Sequence, residues 1–267
     1  MNSLTSKIAV FLTVTLASIQ AFALPTDRTD VTIYDGDSSY QNGWYGKNED
    51  QETEPGMVTT QVWDMEGFFL NSAATKLGMI SGFDFQNGVL AGGHLYTAGD
   101  IFIDVDGDHI AGNATTTTNG NNPESYANFG YDYAIDIDWS SIDGKGVGSY
   151  NVYNLHSGAI VSTPYYKQNY GSGPIDYLSG GQWIESGNFI FEKGLSDLET
   201  GYLGGNHFSA YGFDLGFLGG YDEYWVSSAM SCGNDHLLGH VASVPEPSSL
   251  ILLAIGILGL VLARRIA

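Results

Sequence analysis

The sequence predicts an all-β fold, a single antiparallel β-sandwich of the jelly-roll kind. Short runs in which apolar and polar residues alternate recur between turns rich in Gly, Asn and Asp, the pattern of strands and hairpins. Helical periodicity is nearly absent. The chain also contains 36 glycines in 267 residues, and a glycine inside a helix costs about 1 kcal/mol relative to alanine. We therefore place the sandwich at residues 58–243 and expect a polar, acidic and loosely packed arm at residues 24–57.

The predicted strands follow one another along the domain. The stronger ones span residues 79–85, 100–105, 131–139, 149–155 and 207–217, and the weaker ones residues 159–163, 187–191 and 223–228. One edge strand is expected in the arm, at residues 31–34. In the run 131–139, Ile135 and Ile137 share one side of the strand, whereas Asp136 and Asp138 share the other. We therefore expect the strands to bury an aromatic and aliphatic face and to turn their aspartates to solvent. The polar tract 115–122 is expected to form a surface loop.

The composition excludes several classes of protein. The chain has 30 acidic and 9 basic residues, for a formal net charge of -21, whereas binding to nucleic-acid phosphates requires clustered Lys and Arg. A hydrophobic content of 43% and an aromatic content of 13% exclude wholesale disorder. Because Cys232 is the single cysteine, a disulfide scaffold is excluded, and we expect a reduced, partly buried thiol.

The N-terminal residues 1–23 have the features of a secretory signal peptide. Lys7 supplies the positive start, residues 8–19 form an apolar stretch, and Ala21, Phe22 and Ala23 fit the small-x-small cleavage pattern. We expect signal peptidase to remove this segment, so that the remainder of the chain is exported.

The C-terminal residues 244–267 have a three-part order. Pro245, Glu246 and Pro247 precede an apolar run at residues 250–263, and Arg264 and Arg265 follow it. The run is shorter than the about 20 residues that span a bilayer comfortably, so we expect a short transmembrane segment with the arginines on the cytoplasmic side. The order resembles the PEP-CTERM sorting signal of Gram-negative bacteria. That resemblance implies that an exosortase recognises the Pro-Glu-Pro motif and processes the protein at the membrane.

The same resemblance implies a destination and a context. PEP-CTERM proteins are exported across the inner membrane, and their families are associated with exopolysaccharide and biofilm matrix. The cell envelope, the cell surface or the extracellular matrix is therefore the expected location, with the C-terminal tail in the membrane before processing. Four segments of the body also resemble uncharacterised PEP-CTERM proteins, which implies no activity; they are residues 51–56, 63–69, 99–104 and 231–235.

A calcium site is one interpretation of the aspartates that end the predicted strand at 100–105. Asp100, Asp104, Asp106 and Asp108 would bring several carboxylate oxygens together, and oxygen ligands suit Ca²⁺. The loop is not an EF-hand, since its glycine and its twelfth residue do not match that motif. The alternative interpretation is a hydrated turn, because Asp and Gly are ordinary turn residues.

Trp183 and Tyr177 are candidate carbohydrate-binding residues. They lie among Gly and Ser in expected loops, and an aromatic ring with a polar edge suits stacking on sugars. The alternative is that these rings pack within hairpins. A zinc site at His236 and His240 would require a helix, which would place residues four apart on one face.

Nothing in the sequence marks a catalytic residue. The carboxylates considered for glycoside hydrolysis are Asp104, Asp136, Asp138 and Glu185. Our first hypothesis is therefore a non-enzymatic surface or matrix protein. The alternative is a calcium-assisted carbohydrate-binding module, and the third hypothesis is a polysaccharide hydrolase.

Overall fold

The computed structural model describes residues 24–25, 27–33, 49–54, 56–110, 113–221 and 223–242. In chain order their strands are β1 (Thr29–Asp30), β2 (Met65–Leu70), β3 (Lys76–Ser81), β4 (Val89–Ala91), β5 (His94–Tyr96), β6 (Ile101–Asp104), β7 (Pro123–Ser125), β8 (Tyr133–Asp138), β9 (Val147–Asn154), β10 (Ile160–Ser162), β11 (Tyr177–Ser179), β12 (Gln182–Leu195), β13 (His207–Asp214), β14 (Tyr224–Ala229) and β15 (His236–Val241). One helical turn, α1, spans Asp197–Thr200. Short 3₁₀ turns cover Gln61–Trp63, Tyr126–Asn128, Trp139–Ser141, Leu155–Ser157, Lys167–Ser172 and Gly216–Leu218.

Ten strands form one antiparallel sheet in the order β1-β2-β3-β13-β12-β9-β8-β6-β14-β15. The sheet curls until its two edges meet beside the segment that follows β1. There Ile33 N–H donates to the Leu238 carbonyl (2.9 Å), and His240 N–H donates to the Val31 carbonyl (2.8 Å). The predicted all-β class is confirmed, and the sandwich takes the form of a single curled sheet.

The core lies inside the curl and follows the alternation of the strands. Ile101 and Ile103 of β6, Ile135 of β8 and Val152 of β9 are all completely buried in it. Aromatic rings fill the centre: the Phe189 ring stacks on Phe213 at 5.2 Å between centroids and meets Trp139 edge-on at 5.4 Å. Burying a large apolar side chain contributes about 1.5–3 kcal/mol to the free energy of unfolding, so these buried aliphatic and aromatic side chains stabilise the sheet.

Glycines and aromatic rings face each other across neighbouring strands. Gly187 pairs with Tyr150, and Gly148 pairs with Phe189. A Cβ atom added to Gly187 would lie 2.3 Å from the Tyr150 hydroxyl, and one added to Gly148 would lie 2.4 Å from the Phe189 ring. The rings therefore cover the glycine backbone, a way of stabilising glycine in strands. This pairing accounts for part of the glycine and aromatic content.

The expectation that the strand aspartates face solvent is wrong for Asp100, Asp104 and Asp132, which are 4%, 0% and 3% exposed. Buried carboxylates require hydrogen-bond donors, and backbone groups supply them here. Asp132 Oδ2, for example, accepts the N–H of Val105 at 2.7 Å. Asp138 is exposed, as expected.

Strands β2, β4, β5, β7, β11 and β15 were not predicted, and part of the arm was misjudged. All six residues of β2 are buried, so they lack the alternation by which a half-buried strand is recognised. The strand β15 contains the two histidines considered for a helical zinc site. In the arm, Leu24, Glu49 and Glu52 are 6%, 1% and 2% exposed, so the expectation of loose packing is wrong for its described parts.

The remaining strands form two small sheets. The sheet β11-β10-β7 packs with a second apolar cluster that includes Phe102 and Tyr131, and β4 pairs with β5. The predicted signal peptide at 1–23 and the sorting segment at 244–267 lie outside the described residues. Within the part of the chain that the structure describes, no helix is long and apolar enough to cross a membrane.

Candidate ligand and calcium sites

Asp104 organises the loop that follows β6. Its Oδ1 accepts the N–H groups of Asp106 (3.0 Å) and Gly107 (2.8 Å), and its Oδ2 accepts the N–H of His109 (3.2 Å) and contacts His109 Nδ1. Gly107 has a φ of +80°, a conformation that glycine adopts without strain. Burial raises the pKa of Asp104, but the hydrogen bonds from His109 and the backbone outweigh burial and lower it overall. Both oxygens of Asp104 therefore shape the loop.

The structure brings together three of the four aspartates considered for calcium. One carboxylate oxygen from each of Asp104, Asp106 and Asp108 lies within 4.8 Å of the others. Asp106 and Asp108 are exposed. Burial first, and then the neighbouring charges of Asp106 and Asp104, raise the pKa of Asp108. The group is compact, but its one buried member already accepts several hydrogen bonds.

Asp100 is not a member of that group. It precedes β6 and accepts the N–H of Ile137 on Oδ1 and the N–H of Tyr177 on Oδ2, both at 2.8 Å. Burial raises the pKa of Asp100, and the nearby carboxylates of Asp176 and Asp136 raise it further. Burial also raises the pKa of Asp176 to about 6. Asp100 therefore anchors β8 and β11 to the start of β6.

Trp183 and Tyr177 lie on one surface because Tyr153 connects them. Trp183 of β12 is the cross-strand partner of Tyr153 of β9, and the Tyr153 ring stacks on Tyr177 with 4.1 Å between centroids and 14° between planes. The Trp183 side chain is 58% exposed. We call Tyr153, Tyr177 and Trp183 the aromatic face.

Polar groups border the aromatic face. Trp183 Nε1 donates to Ser186 Oγ at 3.2 Å, and Ser186 Oγ donates to Asn151 Oδ1 at 2.6 Å. In the next strand Asp136 is the partner of Asn151. Flat rings beside hydroxyl, amide and carboxylate groups match the two sides of a sugar ring, one apolar and one polar.

Of the carboxylates considered for glycoside hydrolysis, Asp104, Asp136 and Asp138 form hydrogen bonds within the fold. Asp104 shapes its loop, and Asp138 Oδ1 caps a 3₁₀ turn by accepting the N–H of Ser140 at 3.0 Å. Burial raises the pKa of Asp136, and Asn151 offsets part of that effect by hydrogen bonding. Glu185 lies next to a register shift in β12.

His236 and His240 do not form the helical pair that a zinc site would require, since both lie in β15. His236 is buried, and its Nε2 lies 2.7 Å from Ser227 Oγ. The His240 ring stacks on Trp225 at 4.6 Å. Cys232 is a free thiol, 3% exposed, so it is buried rather than partly buried.

Sequence reasoning missed two groups of ionisable residues, in which every member except the half-exposed Asp197 is buried. His207 lies between Glu66 and Asp197. Separately, the carboxylates of Glu49, Glu52 and Asp235 meet below the surface. The second group joins segments about 180 residues apart, and both glutamates belong to a polar run that is typical of an exposed segment, so no local pattern marked them.

The PEP-CTERM protein-sorting motif matches residues 243–265 of the chain. No curated protein and no solved structure matches the chain. The matched segment contains Pro245, Glu246, Pro247, Arg264 and Arg265, so the predicted sorting signal is confirmed. This motif is a signal for processing by an exosortase-type system, and it indicates an exported, membrane-transiting protein of the kind found in Gram-negative bacteria.

Proposed function

We propose that this protein is a non-enzymatic component of the cell envelope, cell surface or extracellular matrix that binds polysaccharide through its aromatic face. Signal peptidase would release the N-terminus, and the tail would hold the chain in the membrane until an exosortase acts on it. The observation that carries the binding proposal is the joining of Trp183, Tyr153 and Tyr177 into one surface.

The physical argument is that the aromatic face is already formed in the free protein. Tyr177 is held by its hydroxyl, which donates to the Gly180 carbonyl at 2.6 Å, and Trp183 is held by its bond to Ser186. A preformed surface loses little conformational entropy when a ligand binds. The protein's charge of -21 favours neutral over anionic glycans.

The test is binding of the purified full-length chain to exopolysaccharide from the producing cells. Trp183→Ala is expected to weaken binding about tenfold, the equivalent of about 1.4 kcal/mol, without changing the melting temperature. Tyr221→Ala, at a tyrosine that is 48% exposed outside the aromatic face, is the matched control and is expected to bind normally. Unchanged binding by Trp183→Ala would contradict the proposal. Release of reducing sugar by the purified chain would instead support the hydrolase hypothesis.

Calcium-assisted binding is the second candidate function, favoured by the closeness of Asp104, Asp106 and Asp108. Asp106→Asn combined with Asp108→Asn changes the two exposed members and leaves the hydrogen bonds of Asp104 in place. If calcium at this loop assists binding, EDTA lowers the polysaccharide affinity of the native chain but not that of the variant.

A further inference from the structure

A cavity of about 340 Å³ lies between the β4–β5 hairpin, the residues that precede β2 and the residues that join β14 to β15. Its apolar wall includes Val58, Trp63, Tyr96 and Tyr166. None of the described residues that line it is acidic, basic or a histidine, although the chain has 30 acidic and 9 basic residues. We call it the neutral cavity. Its volume lies within the range of about 300–1,000 Å³ that is typical of small-molecule sites.

The aromatic rings of the neutral cavity hold one another in place. The Trp63 ring meets Tyr96 edge-on, with 5.7 Å between centroids, and the hydroxyl oxygens of Tyr96 and Tyr166 lie 2.6 Å apart. Burial first, and then the hydrogen bond with Tyr166, raise the pKa of Tyr96, so its hydroxyl is neutral. The apolar wall is therefore formed before any ligand arrives, and a preformed site loses little conformational entropy on binding.

Three amide side chains supply the polar part of the lining: Gln168, Asn169 and Asn234. Asn234 is fully engaged, since its Oδ1 accepts the N–H of Val58 at 2.9 Å and its Nδ2 donates to the Val58 carbonyl at 3.0 Å. Asn169 Nδ2 donates to the Cys232 carbonyl at 2.9 Å, but its buried Oδ1 has no hydrogen-bond partner among the described residues. Gln168 is exposed. Gln168 and Asn169 therefore retain hydrogen-bonding capacity in the same cavity as the rings.

The lining of the neutral cavity favours one class of ligand. A charged ligand would be buried without a partner of opposite charge, which is costly, and the protein's charge of -21 repels anions in particular. A purely apolar ligand would leave the amides unused, and a buried acceptor without a donor costs about 1–3 kcal/mol. A neutral sugar meets both requirements, because its C–H face packs on aromatic rings and its hydroxyl groups bond to amides.

We propose that the neutral cavity binds a neutral monosaccharide or the terminal sugar of a neutral glycan. Trp63 and Tyr96 would pack against the apolar side of the sugar, and Gln168 and Asn169 would bond to its hydroxyl groups. None of the residues of the aromatic face lines the cavity, so this proposal is independent of polysaccharide binding there. A cavity accepts the end of a glycan, whereas an open surface binds along the chain.

Binding of simple sugars to the purified full-length chain tests the class of ligand. The probes are the methyl glycosides of glucose, galactose, mannose and N-acetylglucosamine, with glucuronate as the anionic comparison and phenol as the apolar one. Saturation-transfer NMR measures their binding. At least one neutral sugar is expected to bind more tightly than glucuronate and phenol. Binding of phenol without any sugar, equal binding of glucuronate, or no binding at all overturns the proposal.

Variants of the same chain locate the bound sugar. Val58 lines the cavity and is 55% exposed, so Val58→Trp places a large ring at the cavity without disturbing the core and is expected to weaken binding at least about tenfold, the equivalent of about 1.4 kcal/mol. Val62→Trp, at a valine that is 45% exposed outside the lining, is the matched control and is expected to bind normally. Gln168→Ala removes one amide and is expected to weaken binding about threefold to tenfold.

Trp183→Ala separates this site from the aromatic face. The variant is expected to keep the binding of the simple sugar, whatever its effect on exopolysaccharide. Binding that is lost in Val58→Trp and kept in both Val62→Trp and Trp183→Ala supports the proposal. Every other pattern overturns it.

Discussion

The Nδ1 atom of His207 lies 2.7 Å from Oε1 of Glu66, and both side chains are completely buried. On the other side of the ring, Nε2 lies 2.9 Å from Oδ1 of Asp197. Burial alone would lower the pKa of His207, but the hydrogen bonds and charges of Glu66 and Asp197 outweigh burial and raise it. The imidazole therefore ties β13 to β2 and to α1, and its protonated form strengthens both contacts.

Replacing His207 is expected to destabilise the protein strongly. His207→Gln leaves Glu66 buried beside a neutral group, and breaking a buried ion pair costs about 3–5 kcal/mol. The stabilisation is complete below the unfolded-state pKa of about 6.5 and is lost as the pH rises through the raised pKa of the folded state. Urea unfolding of the wild type and the variant, from acid to neutral pH and above, measures both effects.

His240→Gln is the control for that experiment. His240 pairs with Glu223 at 3.0 Å, but both side chains are partly exposed, and exposed pairs contribute about 0–1 kcal/mol. Two outcomes would refute an ion pair between protonated His207 and Glu66. One is an equal loss of unfolding free energy in the two variants, and the other is a loss in His207→Gln that does not shrink as the pH rises.

His236 is expected to have the opposite pH dependence. Burial first, and then the nearby His109, lower its pKa to about 4. Its neutral form is therefore favoured in the folded protein, and the stabilisation is present above about pH 6.5 and lost as the pH falls to about 4. The difference between the two pKa values corresponds to about 3 kcal/mol.

The measurement compares the wild type with His236→Gln, which keeps a side chain able to bond to Ser227. Urea unfolding is followed from neutral pH to about pH 4. The wild type is expected to lose about 3 kcal/mol more than the variant over this interval. If the wild type and the variant lost the same free energy of unfolding over this interval, His236 would not contribute to the pH dependence of stability.

The fold class was predictable because alternation is a local property. Ile135 and Ile137 alternate with Asp136 and Asp138, and their strand was found. Met65–Leu70 was missed because it is buried on both faces: Phe68 packs in the main core, and Phe69 packs in a small cluster with Leu24 and Ile80.

The sites depended on contacts that no local pattern contains. Asp106 and Asp108 were found because they are adjacent in sequence to Asp104. The group formed by Glu49, Glu52 and Asp235 was missed because these carboxylates meet only after folding. The burial of Asp100 depends on donors from β8 and from residue 177, which lie 37 and 77 positions further along the chain.

Cys232 is expected to resist alkylation in the folded protein. Burial raises the pKa of its thiol to about 12, and the thiolate is the form that reacts. Mass spectrometry after iodoacetamide treatment is expected to show no adduct in the native chain and complete labelling in denaturing urea. Native labelling at the rate of the unfolded chain would contradict the burial of this thiol.

Gly187 is expected to tolerate no side chain, because Tyr150 covers it and cannot move away. A Cβ atom at residue 187 would lie 2.3 Å from the Tyr150 hydroxyl, and that hydroxyl accepts the N–H of Asp214 at 2.8 Å. Gly187→Ala is therefore expected to cost about 1–3 kcal/mol through overpacking, measured by urea unfolding. Gly144→Ala, at a glycine with no neighbouring atom within 4 Å of the added Cβ, is the matched control and is expected to change stability by less than about 0.5 kcal/mol.

Because the clash at residue 187 involves one ring, combining Gly187→Ala with Tyr150→Leu is expected to cost less than the sum of the two single changes. Additive costs would show that the ring does not restrict residue 187.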